Sequence, residues 1–376
     1  MIKRRNTALR SLDENEIQQE LKIEETVNEI IDEVKSPFVP VPKKEYDMTK
    51  TISMGSTLLD LCISGKTSLK GGIPGGIVLE IYGPAASGKT AILVKLAAST
   101  QMQGGSVKFQ DPEARLNKEY SRIYGMELNE KDYSRPKTVS EIFANIKKWN
   151  PKNPNVINTI CTDSLAALST NLELEKGDKM GQRRAKEFSE GFRTTAISIT
   201  DNNWIMANSN QVRDGEWGET TPGGQALKYY ASLRIRIAEI KKIDKEISLD
   251  FLSKKKDDEK GEEEKKSTKK FKKIIGIESA CYVRKSSVDD PYRQCNITIL
   301  FNYGIDKTRD NLQYIKDMTS NTVYECPDGK SYLAIDKAIN WTEDNNLEEK
   351  LEDNVIEIWN LIEDKFRIKR KLNIKI

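Results

Sequence analysis

The sequence predicts an α/β protein with a mostly parallel, twisted sheet, flanked by an N-terminal helix and a small C-terminal α+β region. Two observations predict it. From about residue 51 to 240, short apolar runs alternate with helical stretches, the pattern of successive βαβ units. Within that region, the run Gly83-Pro84-Ala85-Ala86-Ser87-Gly88-Lys89-Thr90 sits between a strand-like and a helix-like segment.

The elements follow in order. Residues 11–35 read as an amphipathic helix: Ser11 and Glu14 form a capping box, and Ile23, Val27, Ile30 and Val34 recur on one face. The proline-broken stretch 36–42 cannot continue it and reads as an extended linker. Residues 1–50 are therefore a helix and linker, whose apolar stripe docks either on its own core or on a neighbouring subunit. The core spans 51–303. Val78–Tyr82, Val107–Gln110, Val156–Thr162 and Trp204–Asn208 read as strands, and Thr90–Thr100, Val139–Trp149 and Gly181–Thr200 as helices. Leu233–Ile240, Ser279–Arg284 and Asn296–Asn302 are further strands. Lys254–Lys273 holds ten lysines, six acidic residues and one aromatic. It reads as a disordered insertion, either a solvated loop or a contact for DNA or a partner. Residues 304–376 form the C-terminal domain: a helix at Asn311–Met318, a hairpin around Pro327-Asp328-Gly329, and a last helix bearing Leu347, Leu351, Val355, Ile358 and Ile362.

Composition removes several function classes. With no histidine, Ser-His and Cys-His triads and histidine-bound zinc sites are excluded. The formal net charge of +3 gives no bulk attraction to nucleic acid, so a DNA site must be local. Cys62, Cys161, Cys281, Cys295 and Cys326 show no CxxC spacing and suit free thiols in a reducing compartment. No run approaches the roughly 18 apolar residues of a membrane span, and no signal peptide is read. A soluble, cytoplasmic protein without membrane contact is expected.

The glycines of 83–90 let the backbone wrap phosphates, and the helix that follows offers N–H donors and its positive dipole end. Lys89 is placed to reach the β- and γ-phosphates of ATP, and Thr90 to hold Mg²⁺. A second carboxylate must order the metal. Asp163, closing the run Val156–Thr162, is the candidate, although Asn158, Thr159 and Thr162 make that strand unusually polar. Hydrolysis also needs a group to activate water. Glu113, just after the next strand, can face the γ-phosphate across the strand ends, and Asp111 competes for that role.

Further runs carry a resemblance. They are Ile52-Ser53-Met54-Gly55-Ser56, Gly75-Gly76-Ile77-Val78-Leu79-Glu80-Ile81-Tyr82-Gly83-Pro84, Thr162-Asp163-Ser164-Leu165-Ala166-Ala167-Leu168, Gly177-Asp178-Lys179-Met180-Gly181, Asn210-Gln211-Val212-Arg213 and Glu219-Thr220-Thr221-Pro222-Gly223-Gly224-Gln225-Ala226-Leu227-Lys228-Tyr229-Tyr230. In this order, across about 260 residues, they resemble the RecA/UvsX recombinase family, in a divergent form such as a phage or mobile element encodes. The resemblance is loose over 304–376 and absent over 1–50.

It implies a recombinase that forms a helical homo-oligomeric filament on single-stranded DNA, exchanges strands with homologous duplex DNA, and hydrolyses ATP when DNA is bound. A filament scaffold without strand exchange, or a helicase motor of the same fold, is the alternative. Glu113 becomes the catalytic glutamate, Gln211 the γ-phosphate sensor, and Tyr120 either an adenine-stacking ring or an ordinary half-buried tyrosine. The first DNA loop falls in 170–181 and runs into a helix with Arg183 and Arg184. The second falls in 212–224. Met180, Gly181, Arg183, Arg184, Arg213, Trp217, Gly223 and Gly224 are the DNA-contact candidates, with Met180 and Trp217 able to wedge between or stack on bases. Asp214, Glu216 and Glu219 on the second loop oppose phosphate. Where the family sends two lysines into a neighbour's ATP site, this chain has Arg284-Lys285, and either can act.

Overall fold

The computed structural model describes residues 50–176, 181–215, 218–223, 226–249, 270–368 and 370. The expected N-terminal helix lies outside them, as do Met180, Trp217 and Gly224. In chain order the elements are β1 Thr51–Ile52, α1 Thr57–Ser64, β2 Ile73–Pro74, β3 Ile77–Gly83, α2 Lys89–Met102, β4 Val107–Gln110, α3 Lys118–Ile123, β5 Tyr133–Ser134, α4 Val139–Lys148, β6 Asn158–Thr162, α5 Asn171–Lys176, α6 Gly181–Asp201, β7 Trp204–Gln211, β8 Arg213–Gly215, β9 Gly218–Thr220, α7 Ala226–Tyr230, β10 Leu233–Ser248, β11 Lys270–Ser286, β12 Gln294–Leu300, β13 Gly304–Ile305, α8 Lys307–Thr319, β14 Tyr324–Glu325, β15 Ser331–Tyr332, α9 Ile335–Asp344 and α10 Glu348–Phe366.

Nine strands form the main sheet in the order β13-β12-β11-β10-β3-β7-β6-β4-β5. From β10 to β5 every pairing is parallel. From β10 to β13 every pairing is antiparallel. The parallel half is covered on both faces, as βαβ crossovers require. Along β7 the side chains alternate between two apolar clusters: Ile205 and Ala207 pack with α1 and α2, while Trp204 and Met206 pack with α4 and α6.

Two of the three polar residues that set this strand apart, Asn158 and Thr159, find side-chain partners, while the buried Thr162 hydroxyl has none. Asn158 accepts the Ser106 N–H at 2.7 Å and donates to the Asn153 and Val156 carbonyls at 2.8 and 2.9 Å. The Thr159 and Thr100 hydroxyls bond each other at 2.6 Å. A buried strand tolerates such residues when their polar atoms are hydrogen-bonded.

Two expectations change. Lys270–Lys273 is not part of a disordered insertion: these residues open β11 and pair with Lys245–Ser248 of β10. The ladder between Leu233 and Ser286 keeps adding backbone hydrogen bonds outward, overriding a local composition that favours disorder. Second, the stretch 170–176 is largely helical, because Thr170 Oγ1 accepts the Glu173 N–H at 3.1 Å while Glu173 Oε2 accepts the Thr170 N–H at 2.8 Å, a reciprocal cap.

The C-terminal helices share the core cluster. Leu312, Leu351, Val355, Ile356 and Trp359 pack in one apolar body with Leu59, Ile63 and Ile297. Asn311 Nδ2 donates to Thr57 Oγ1 at 3.1 Å, and Asp310 accepts the Thr298 N–H at 2.9 Å. The fully buried Leu351 makes this testable. Leu351→Ala should cost about 2–5 kcal/mol, and urea unfolding followed by tryptophan fluorescence and by far-UV circular dichroism should remain one coincident transition. A separate, earlier fluorescence transition would show that the tail melts on its own.

Candidate active site

The site begins where the chain leaves β3. Gly83 lies opposite Gln211 in the β3–β7 register. A Cβ at Gly83 would stand 1.9 Å from the Ile237 carbonyl oxygen, so no larger residue fits this turn. Ala86 (φ 58°) and Gly88 (φ 96°) take left-handed conformations, which turn backbone N–H groups towards a common concavity. Gly88 caps α2 without any side-chain hydrogen bond, leaving the first helical N–H groups for an anion. Ser87 Oγ donates to the Pro84 carbonyl at 2.9 Å, and Ser279 of β11 donates to the Ser87 carbonyl at 3.0 Å. The loop is thus braced from the antiparallel half of the sheet. Ala85 and Pro84 are exposed on its rim.

Lys89 is buried and donates from Nζ to the carbonyls of Gly83, at 3.0 Å, and Pro84. Burial pushes its pKa down, opposed by the carboxylates of Asp163 and Glu113. Thr90 Oγ1 donates to Asp163 Oδ2 at 2.6 Å, and Ser209 Oγ donates to Oδ1. Burial pushes the Asp163 pKa up; the two hydroxyl bonds oppose the rise, and Glu113 and Asp111 add to it. These residues fit a phosphate-bound Mg²⁺. That ion keeps most of its waters and takes one or two protein oxygens beside the phosphates, so a hydroxyl and a carboxylate at strand ends suffice. Among the described residues no cluster of three or more carboxylate or thiol ligands offers an all-protein metal site.

The structure separates the two competing carboxylates. Asp111 is buried, and its Oδ2 accepts the Leu116 N–H and the Tyr133 hydroxyl, each at 2.8 Å, so it shapes the turn after β4. Glu113 instead reaches the strand ends: Oε1 accepts Ser164 Oγ at 2.7 Å and Gln211 Nε2 at 3.4 Å, while Arg115 pairs with Oε2 at 2.8 Å. Lys89, Thr90, Asp163, Glu113 and Gln211 are therefore one linked constellation. Ser164 and Ser209 complete it, and the sequence reading missed both. The signal was present, since Ser164 follows Asp163 and Ser209 lies two positions before Gln211, but hydroxyls there are read as ordinary strand-end residues.

Tyr120, on α3, is half-buried, with its ring 5.1 Å from Tyr124 and its hydroxyl 3.3 Å from that of Tyr124. Burial raises its pKa, and Tyr124 and, to a smaller extent, Asp163 add to the rise.

The loop residues divide. Gly181 opens α6. Arg183 is half-exposed with Glu187 at 3.9 Å, whereas Arg184 Nη1 is tied to the Leu168 carbonyl at 3.0 Å. Arg213 is exposed on β8, in a short β8–β9 hairpin where the sequence suggested only an irregular loop. Gly223 sits at φ 96°. Lys285 turns back into its own subunit and donates to the Lys228 and Tyr229 carbonyls at 2.8 and 3.0 Å, capping α7. Arg284 is exposed, its guanidinium 5.3 Å from the Tyr282 ring centroid. Among the described residues no helix is long and apolar enough to cross a membrane.

The chain is similar in sequence to known proteins. A family model described as the RecA N-terminal domain matches residues 22–256. A protein named Protein RecA from Delftia acidovorans is 31% identical over 328 residues, covering 85% of this chain and 80% of that relative. One from Clostridium acetobutylicum is 32% identical over 263 residues, covering 68% and 66%. One from Ruminococcus albus is 29% identical over 276 residues and covers 72% of this chain, which spans 61% of that relative's length.

The Asp163 geometry sets a pH dependence. In the Mg²⁺ site that these residues fit, protonating this carboxylate would remove a negative charge. Because burial raises its pKa, protonation begins at a higher pH than for an ordinary aspartate near about 3.9. Mg²⁺-dependent ATP binding should therefore weaken as pH falls, from above that range, and Asp163→Asn should abolish both the metal dependence and this pH dependence. Titration with a fluorescent ATP analogue, with and without Mg²⁺ across pH, checks it.

Proposed function

This chain belongs to the RecA family, and from that premise we propose that it is an ATP-dependent homologous recombinase. In this reading it assembles into filaments on single-stranded DNA, pairs that strand with homologous duplex DNA, and hydrolyses ATP in response. The observation that carries the proposal is the bond from Gln211 Nε2 to Glu113 Oε1, at the mouth of the phosphate loop and the head of the second loop.

The chemistry follows from the geometry. The N–H groups at the start of α2 and the Lys89 ammonium bind the triphosphate. Thr90 and Asp163 would hold Mg²⁺, which would supply charge neutralisation for the phosphates. Glu113 orients the attacking water and accepts its proton. Ser164 holds one of its oxygens in place, so the carboxylate need not search for its position. Gln211 shifts its amide from Glu113 towards a γ-phosphate when one is present, and releases it after hydrolysis. That exchange reports nucleotide state to the loop that begins at Val212.

Single-stranded DNA is bound by the two loops: Arg183 and Arg213 meet phosphates, glycines 181, 223 and 224 allow close backbone approach, and Met180 and Trp217 stack on or wedge between bases. Tyr120 stacks on the adenine. The N-terminal helix joins successive subunits head to tail, which yields an open filament rather than a closed dimer. Arg284 or Lys285 enters the neighbour's ATP site; for Lys285 this requires leaving the α7 carbonyls.

Lys89→Ala should abolish productive ATP binding. Glu113→Gln should retain binding and slow hydrolysis by about 10²-fold or more. ATP turnover measured with and without single-stranded DNA, together with electron microscopy of the product, tests the proposal. Wild-type turnover in Glu113→Gln would remove Glu113 from its role. Absence of both DNA stimulation and filaments would reject the recombinase reading.

A further inference from the structure

A second polar chain lies on the opposite side of β7 from Glu113. Asn210 and Gln211 are adjacent on the strand, so their side chains leave opposite faces. Asn210 is fully buried, and its Nδ2 donates to Glu80 Oε1 and to the Pro222 carbonyl, each at 3.0 Å. Its Oδ1 accepts the Gln211 N–H at 3.1 Å. Glu80, fully buried on β3, receives Arg234 Nε of β10 on its other oxygen at 2.6 Å. The Arg234 guanidinium lies 4.5 Å from the Tyr82 ring centroid. One residue past Pro222, Gly223 packs so tightly that a Cβ there would be 3.2 Å from Phe188 Cδ2. Phe188 belongs to α6, the helix that leaves the first loop.

We infer that Asn210 is a positioning residue that couples the setting of Gln211 to the return limb of the second loop. The inference rests on the function proposed above and assigns the part through which nucleotide state reaches DNA. Along the chain, the route from Asn210 to Pro222 is 12 residues long. The Asn210 amide bypasses it, because it holds the Gln211 N–H at one end and the Pro222 carbonyl at the other. Both of its acceptors, the Glu80 carboxylate and the Pro222 carbonyl, accept only, so the amide has one orientation. Arg234 supplies the counter-charge that lets Glu80 stay buried as an acceptor, and a bond to a charged acceptor is the stronger kind. In this water-poor setting no bond of the set is easily left unmade, so its members shift together. Seating Gly223 against Phe188 extends the same shift to the helix below the first loop.

The test uses the full chain. Affinity for single-stranded DNA is measured with a non-hydrolysable ATP analogue and with ADP, alongside thermal melting. Wild type should show an affinity ratio between the two states of about 5–150-fold, and Asn210→Ala should bring it to within about 2-fold of unity. The paired exchange Glu80→Gln with Asn210→Asp keeps one amide and one carboxylate between β3 and β7 but leaves the Pro222 carbonyl without its donor. It should melt closer to wild type than Asn210→Asp alone and still lack the ratio. A purely structural Asn210 would recover both together. If Asn210→Ala does not fold, the exchange pair decides. A wild-type ratio in either folded variant overturns the inference alone. A wild-type protein whose DNA affinity ignores the nucleotide overturns the function proposed above, and this inference with it.

Discussion

The structure depends on the pairing of β3 with β7 on one side and β10 on the other, parallel in both cases. That register puts Gly83 opposite Gln211, and Glu80 opposite Asn208 on one side and Arg234 on the other. Parallel strands end together, so their carboxyl ends deliver the phosphate loop, Asp163 and Gln211 to one edge of the sheet without any of them being adjacent in sequence. A one-residue slip of β7 would send Gln211 to the Phe188 side and Asn210 towards Glu113, exchanging the two polar systems and unmaking both. The apolar alternation of β7, with Trp204 and Met206 on one face and Ile205 and Ala207 on the other, excludes that slip.

The fold class was legible because its signals are local. The β4 run matches its strand residue for residue, and α4 and α6 end within one residue of the periodic stretches that announced them. The phosphate loop was legible for the same reason, since eight consecutive residues specify both backbone and chemistry. What stayed hidden is non-local. Nothing near Lys270 announces a strand; its place is fixed by Leu233–Ile237, buried against β3 and β11, from which the ladder runs outward. The ion pairs Lys270–Glu246 and Lys272–Asp244 are exposed and contribute little, so backbone pairing sustains the extension.

The buried acid on β3 is a related case. Glu80 stands inside Ile77-Val78-Leu79-Glu80-Ile81, where a charge is costly unless it is paired and bonded. That cost was readable from the sequence. The identity of its partners was not, because Arg234 and Asn210 lie 154 and 130 residues away. Likewise the choice between Glu113 and Asp111 could not come from spacing, since both follow β4. The bonds to Leu116 and Tyr133 hold Asp111 in the turn, whereas Glu113 reaches Ser164 and Gln211.

The contacts to Glu113 differ in how firmly they hold it, and the difference bears on turnover. Arg115 is 81% exposed, so its ion pair is screened and is worth at most about 1 kcal/mol. Water competes readily for such a pair. Ser164 is buried, and its hydroxyl sits on the strand end beside Asp163, so its bond is shielded from competing water. Gln211 lies between these extremes: its backbone is fixed by β3 and by Asn210, yet its amide reaches Glu113 at 3.4 Å, long for a hydrogen bond. A long bond from a fixed strand gives up little when the amide turns to a phosphate oxygen. In the function proposed above, the carboxylate would then be left with one firm partner and a free lone pair, the state in which it would take a proton from water.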